Sequence, residues 1–228
     1  MSKSKYPLLF LVLLLNIALI PLSLIYADDH ESSFVTAYPM EYSQYDTSSD
    51  PEIWVSIIGS VTSFQVTDNN YPDYDASLAV TSNRNIVVAW EATYDAQPTD
   101  IRYAVLDSSG NVLKPDTQVG WDSPVDWDRH DPCVAATPDG TVFIVWQAGC
   151  IDYAMMDNMG NVKDWLGFDG YGNICDGDVE EPTVSASTLN PMINNVVMAW
   201  KDHDGDQYQI WFSILDSMGE EVKEPTQV

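Results

Sequence analysis

The stretch DASLAVTSNRNIVVAWEA, residues 75–92, followed by DIRYAVLDSSGNVLKPDTQV, residues 100–119, carries the reading of the fold. It holds a short apolar run, a turn rich in Asn and Ser, and a second run that is apolar on both faces and ends at Trp90. A third run follows in which Ile101, Tyr103 and Val105 share one side. Short apolar or alternating runs punctuated by turn residues read as β-strands. A second copy reads DPCVAATPDGTVFIVWQA, 131–148, then CIDYAMMDNMGNV, 150–162. A third reads EPTVSASTLNPMINNVVMAWKD, 181–202, then YQIWFSILDSMGEEVKEPTQV, 208–228. The tryptophans closing the second strand, Trp90, Trp146 and Trp200, are spaced 56 and 54 residues apart. Each copy also carries an Asp-x-x-Gly turn, at Asp107–Gly110, Asp157–Gly160 and Asp216–Gly219. Length varies mainly between the tryptophan and this turn, where a loop absorbs it.

A strand that is apolar on both faces needs cover above and below, as a central strand of stacked sheets has. The runs 86–90, 142–146 and 196–200 all have this character. The third strands match one another through Ile101, Tyr103 and Val105, then Ile151, Tyr153 and Met155, then Ile210, Phe212 and Ile214. The fourth strand follows the Asp-x-x-Gly turn and ends in Thr-Gln-Val at 117–119 and 226–228. No amphipathic helical window of useful length occurs. Four short strands per period, each sheet too small to bury its own faces, predict an all-β chain of four-stranded antiparallel blades, a β-propeller. Residues 52–60 overlie 209–217, and Phe64-Gln65-Val66 takes the place of Thr-Gln-Val, so 28–70 forms a degenerate or partial first blade. Residues 33–40 offer an earlier strand for it. The expected organisation is a signal peptide at 1–27, the partial blade at 28–70, and blade repeats at 71–120, 121–178 and 179–228. Four blades stand near the minimum for closure, and a piece of a larger propeller is the other reading.

Lys3 and Lys5 precede an almost wholly apolar run at 7–25, and Ile25-Tyr26-Ala27 offers a cleavage site ahead of Asp28 and Asp29. This is the pattern of a secretory signal, cleaved in preference to serving as an anchor, and it predicts a secreted or cell-surface protein. The formal charge of −26 becomes −28 once the two lysines are removed. Such a charge repels nucleic acid and anionic lipid, so no nucleic acid partner and no membrane contact beyond the signal segment is expected. The bland explanation of the acidity is adaptation to salt; the specific one is a cation. Of the three cysteines, Cys133 lies in an apolar strand, while Cys150 and Cys175 in loop-like surroundings are the better disulfide pair.

The repeat pattern, with a Pro-x-Val-Ala strand, a Val-Val-Trp strand and an Ile-x-Tyr strand before Asp-x-x-Gly, resembles the secreted propeller repeats of bacteria and archaea. Those are similar in organisation to sialidase-like and WD40-like propellers, and the resemblance covers roughly 50–228. It implies architecture and little about activity, because propellers host enzymes, adhesins and scaffolds alike. The sialidase Asp-box is absent, and Thr137-Pro138-Asp139-Gly140-Thr141 is the nearest stretch.

In an up-and-down blade the start of strand one and the loop joining strands two and three lie on the same face. Strand one is innermost, so its first residues ring the channel. Here these residues are acidic: Asp73 and Asp75, then Asp131, then Asp178, Glu180 and Glu181. The two–three loop of the third copy reads Asp202-His203-Asp204-Gly205-Asp206. Oxygen-rich clusters suit calcium, so Asp202, Asp204, Asp206, Asp75, Asp131 and Glu181 are the candidate metal ligands and Ca2+ the candidate cofactor. The competing explanation is that turns use Asp because it caps them locally.

Catalytic signals are sparse. A sialidase-like site needs converging arginines, but only Arg84, Arg102 and Arg129 exist, and the repeat puts Arg84 on the opposite face. His30, His130 and His203 are isolated, and no Gly-x-Ser-x-Gly elbow occurs. Trp121, Trp127 and Trp165 fall outside the strand core, where covering a blade edge competes with stacking on sugars. The leading expectation is therefore an extracellular non-catalytic module for binding, adhesion or surface assembly, with a glycan or protein ligand and calcium stabilisation. The alternative is a polysaccharide-active enzyme, a sialidase-like glycosidase or a lyase, with its site on the acidic channel face.

Overall fold

The computed structural model describes residues 34–40, 51–58, 62–94, 98–120, 128–163, 170–174, 178–187, 194–203, 205 and 207–228. Strand β1 (Phe34–Met40), β2 (Glu52–Ile58) and β3 (Thr62–Gln65) make a three-stranded antiparallel sheet. The next sheet runs β4 (Asp73–Val80), β5 (Ile86–Ala92), β6 (Asp100–Leu106) and β7 (Val112–Gln118) in chain order. The third holds β8 (His130–Ala136), β9 (Val142–Gln147), β10 (Ile151–Met156) and β11 (Tyr171–Ile174), and the fourth holds β12 (Asp178–Ala186), β13 (Val196–His203), β14 (Tyr208–Leu215) and β15 (Glu221–Gln227). Every pairing is antiparallel between chain neighbours, so each sheet is a simple meander. Among the described residues no helix occurs, and none is long and apolar enough to cross a membrane.

The sheets stack face to face in chain order, and the apolar faces show why. Ile53 and Val55 of β2 pack on Leu78, Ile86, Val88, Trp90 and Leu106 of the next sheet. The opposite face of that sheet, Val87, Ala89, Ile101, Tyr103 and Val105, packs on Val134, Val142, Ile144, Trp146 and Met156. Phe143, Val145, Ile151, Tyr153 and Met155 then pack on Val184, Val196, Met198, Trp200 and Leu215. Of the three strands read as apolar on both faces, β5 and β9 are covered on both, whereas β13 is covered on one face only and leaves Val197 42 % exposed on the other. Sheet-to-sheet contact also runs along the first strands, β4 against β8 and β8 against β12, which places them innermost. This is blade stacking around an axis.

The Asp-x-x-Gly turns are hairpin chemistry. Asp107 Oδ1 accepts from the N–H groups of Ser109 and Asn111; Asp157 and Asp216 repeat the pair with Met159 and Asn161, and with Met218 and Glu220. The glycine closes the turn at φ 83°, 77° and 81° for Gly110, Gly160 and Gly219, a region that side chains rarely adopt. At Gly160 a Cβ would also come within 2.8 Å of Val105 in the preceding sheet, so the glycine serves the seam as well as the turn. The third sheet departs from the repeat: after its turn only an isolated bridge forms between Met156 and Val162, and the outer strand is taken up later by β11. Cys150 is disulfide-bonded and Cys133 is free, which leaves Cys175, outside the described residues, as the one other cysteine of the chain.

Candidate functional site

The start of each innermost strand carries the same irregularity. In β4 two residues, Asp75 and Ala76, stand between the pairs Tyr74–Glu91 and Ser77–Ala89, where β5 offers only Trp90. In β8, Asp131 and Pro132 oppose Trp146, and in β12, Glu181 and Pro182 oppose Trp200. A two-against-one mismatch is a β-bulge, which bends the strand and re-aims a side chain. The first bulged residue is left-handed each time: φ is 46° at Asp75, 54° at Asp131 and 49° at Glu181. Apart from Arg84, in the exposed hairpin between β4 and β5, these are the non-glycine residues with positive φ among those described. Left-handed backbone costs ~1 kcal/mol for a residue with a Cβ, and such strain concentrates at functional positions.

The three bulges deliver their carboxylates to one place. Asp75, Asp131 and Glu181 line an open cleft of about 330 Å³ together with Glu91, His130, Gln147 and Glu180. Three sheets contribute, and each gives the residues at the start of its first strand or the end of its second. The charges feel one another: burial, then Asp75, Glu181 and Glu180 push the Asp131 carboxyl above the usual aspartate range, against a lowering pull from His130. Glu181 pairs with Lys201, whose ammonium also lies 5.6 Å from the Tyr208 ring. Glu91 is buried at 7 % exposure and accepts the Asp131 N–H at 2.7 Å, while its other oxygen meets His130 Nδ1 at 3.2 Å. Burial raises Glu91 above the ordinary glutamate range despite both partners.

Two residues before the bulge the sheets differ. Asp73 turns inward, fully buried, and accepts the Trp90 indole N–H at 3.0 Å and the Asn69 amide at 2.8 Å. Arg129 holds the equivalent place in the third sheet, so the Trp146 indole finds no acceptor there, and the Arg129 guanidinium binds Asp100 at 2.7 Å and the Val119 carbonyl. Asp73 is thus a strut of the blade and does not face the cleft.

Burial raises Asp73 to about 6, and it raises Asp152 to about 6 as well. The folded protein then binds protons that the unfolded chain releases between pH 4 and 6, so stability falls as pH rises through that window and levels above it. Each group contributes on the order of 2 kcal/mol. Urea midpoints at pH 4.5 are expected to exceed those at pH 7, with Asp73→Asn reducing the difference; a midpoint that rises toward pH 7 would contradict the assignment.

Of the predicted metal ligands, Asp75, Asp131 and Glu181 meet in the cleft, Asp202 lies near the end of β13, and Asp204 and Asp206 are outside the described residues, as are Trp121, Trp127 and Trp165. Among the described residues no group of three or more His, Cys, Asp or Glu side chains is placed to hold a metal ion. The arginines stay apart: Arg102 is taken by Asp116 and the Tyr94 hydroxyl, Arg129 by Asp100, and Arg84 is exposed in its hairpin. A carboxylate-binding arginine cluster of the sialidase kind is therefore not assembled by these residues. Sequence reasoning missed Glu91. The signal was available, because Glu91, Gln147 and Lys201 each follow the repeat tryptophan and each puts a polar side chain near the end of a second strand.

No family model matches the sequence and no curated protein aligns with it. Solved structures do. A protein of unknown function from Dyadobacter fermentans superposes with a TM-score of 0.56 at 15% identity, over 83% of this chain and 51% of that one. An α-L-arabinanase from Penicillium chrysogenum, complexed with arabinobiose, gives 0.54 at 12% identity, over 91% of this chain and 62% of that one. An α-L-arabinofuranosidase from Fusarium graminearum, bound to an iminosugar inhibitor, gives 0.56 at 11% identity, over 90% and 62%.

The fold is a β-propeller. The chain spans about half to three-fifths of the length of these neighbours. At such low identity the likeness concerns the fold. The leading expectation of a non-catalytic binding or adhesion module is corrected by these comparisons, since the neighbours of described activity are an arabinanase and an arabinofuranosidase. That expectation rested on export, repetition, acidity and the lack of a coherent catalytic set in the sequence. Asp75, Asp131 and Glu181 do not stand out as one cluster in the sequence because they are separated by 56 and 50 residues and meet only through the bulges.

Proposed function

We propose that the propeller is the site-bearing part of an extracellular glycosidase acting on polysaccharide, with the cleft between the three innermost strands as its active site. The observation that carries this reading is the threefold placement of a left-handed carboxylate, Asp75, Asp131 and Glu181, around one cleft. Glycoside hydrolysis needs one carboxyl that holds a proton for the leaving oxygen and another that is ionised to activate water or to attack. Crowded carboxylates supply this division, since like charges in one site cannot all ionise together. Asp131 is raised by burial and by its acidic neighbours, in the direction an acid needs, as Glu91 beside it is raised by burial. The glycosidase neighbours support the choice of bond, and the lead sequence and the disulfide at Cys150 support export.

The cleft also selects by charge. Five carboxylates line it, with His130 and Gln147, and the chain as a whole is at −26. Sialosides and polyuronates would bring a carboxylate into this field unpaired, whereas neutral pentosans and hexosans would not. Reducing-sugar release from neutral arabinan, xylan and mannan is expected to exceed release from polygalacturonate or sialosides by at least about tenfold. Release confined to the anionic panel would refute the charge argument, and no release from any glycan would refute the glycosidase reading.

A further inference from the structure

Glu91 is a cleft residue whose side chain ties two blades together. It stands at the end of β5, opposite Tyr74 in β4, and its carboxylate crosses the seam to the third sheet. There Oε1 receives the Asp131 N–H at 2.7 Å and Oε2 meets the adjoining His130 imidazole at 3.2 Å. The N–H it receives belongs to the left-handed residue itself, a donor released from the ladder by the bulge between His130 and Cys133. An unpaired donor at a part-buried bulge costs free energy comparable to a lost hydrogen bond, and an acceptor carrying charge holds it more tightly than a neutral one. Gln147 and Lys201 occupy the same place in the other two sheets, so the carboxylate at this seam is particular to the Asp131 side.

We propose that Glu91 is the positioning residue of the cleft: by capping the Asp131 N–H from the neighbouring blade it holds the Asp131 bulge, and so the Asp131 carboxyl, in its productive orientation. The proposal rests on the glycosidase reading for its consequence in turnover, and its structural half stands without it. The groups that face Glu91 are His130, the Asp131 backbone and Asp75; Asp131 in turn faces Asp75, Glu180 and Glu181. Both Glu91 oxygens are engaged, by the Asp131 N–H and by His130, so its assigned role is to position and not to react. Its effect passes through the geometry of Asp131, and misplacing a reacting group by about 1 Å costs turnover on the order of a hundredfold.

The test compares Glu91→Gln with Glu91→Ala in the full chain. Glutamine keeps an acceptor at the Oε1 position and alanine removes it. Expected for alanine is a loss in kcat of about 30- to 100-fold with KM within about threefold, and for glutamine retention of most of the turnover. Hydrogen exchange supplies a readout free of activity. The Asp131 amide is expected to exchange at least about tenfold faster in Glu91→Ala and at the native rate in Glu91→Gln. The Val134 amide, which donates to Ser77 Oγ at 3.1 Å across the same seam, serves as the control and keeps its native rate in both. Equal acceleration of Val134 and Asp131, or equal loss in both variants, would show a general structural role and overturn the proposal. A wild-type protein inactive on every glycan would overturn the glycosidase reading alone, and the exchange data would still decide whether Glu91 positions Asp131.

Discussion

Asp75→Asn, Asp131→Asn and Glu181→Gln are each expected to lower kcat on a neutral polysaccharide by about 10²- to 10⁴-fold without lowering the melting temperature. The activity half follows from geometry. Each residue is turned toward one cleft by its own bulge, and an amide can neither hold the acidic proton nor serve as an ionised base. The stability half follows from what these residues do for the fold, which is little. Asp75 and Glu181 are exposed, none of the three accepts a hydrogen bond that organises a turn, and each adds like charge to a cleft already crowded with it. Removing one charge relieves repulsion, and asparagine tolerates left-handed backbone as well as aspartate does. Glu181→Gln forfeits the pairing with Lys201, a solvent-screened ion pair that adds little to stability. Sites kept for chemistry at the expense of stability behave in this way. Variants that lose activity and melting temperature together would recast the carboxylates as structural, and calorimetry beside the hydrolysis assay separates the cases.

The second large effect concerns two residues at one repeat position. Phe143→Ala is expected to cost about 3–5 kcal/mol, while Val197→Ala costs less than ~1 kcal/mol. Both residues lie three before the repeat tryptophan, Phe143 opposite Met155 and Val197 opposite Ile214. Phe143 is 0 % exposed, packed among Val184, Met198 and Trp200 of the following sheet, with its ring 6.2 Å from that of Tyr153. Val197 is 42 % exposed on the outward face of the last sheet, where Ile210 is also 49 % exposed. Deleting the phenyl ring empties a close-packed seam between blades; deleting two methyls from the open face removes contacts already shared with water. For a domain with 5–15 kcal/mol in total, the first change removes a large part of it. Urea denaturation of the two variants checks the contrast, and comparable losses would mean that the outward face is covered in solution.

The same pair shows how far the amino-acid sequence reaches. Strand positions, the meander order, the tight Asp-x-x-Gly turns and the stacking of sheets follow from local rules. Period-two and doubly apolar runs must be covered, and a glycine three residues after an aspartate closes a hairpin. Trp90, Trp146 and Trp200 announce the repeat, and the bulge stands across from each of them, but nothing in the letters shows that two residues oppose one there. Asp73 and Asp75 look alike in sequence as acids at the start of a strand. The backbone sends the first inward to the Trp90 indole and the second to the cleft, because a left-handed residue reverses the alternation of faces.

Of the carboxylates read as candidate calcium ligands, Asp75, Asp131 and Glu181 share the cleft, which their positions at strand starts did not by themselves show. Their arrangement, the charge that Asp131 feels, and the reach of Glu91 across a seam all depend on which blades touch. What the sequence alone determined is the all-β class and the four-stranded antiparallel sheet, since each such sheet is made by contacts within about 50 residues. Tertiary structure decided what the units do together. A site contributed by three sheets exists only once they are packed, and burial is a property of neighbours that a repeat position by itself does not carry.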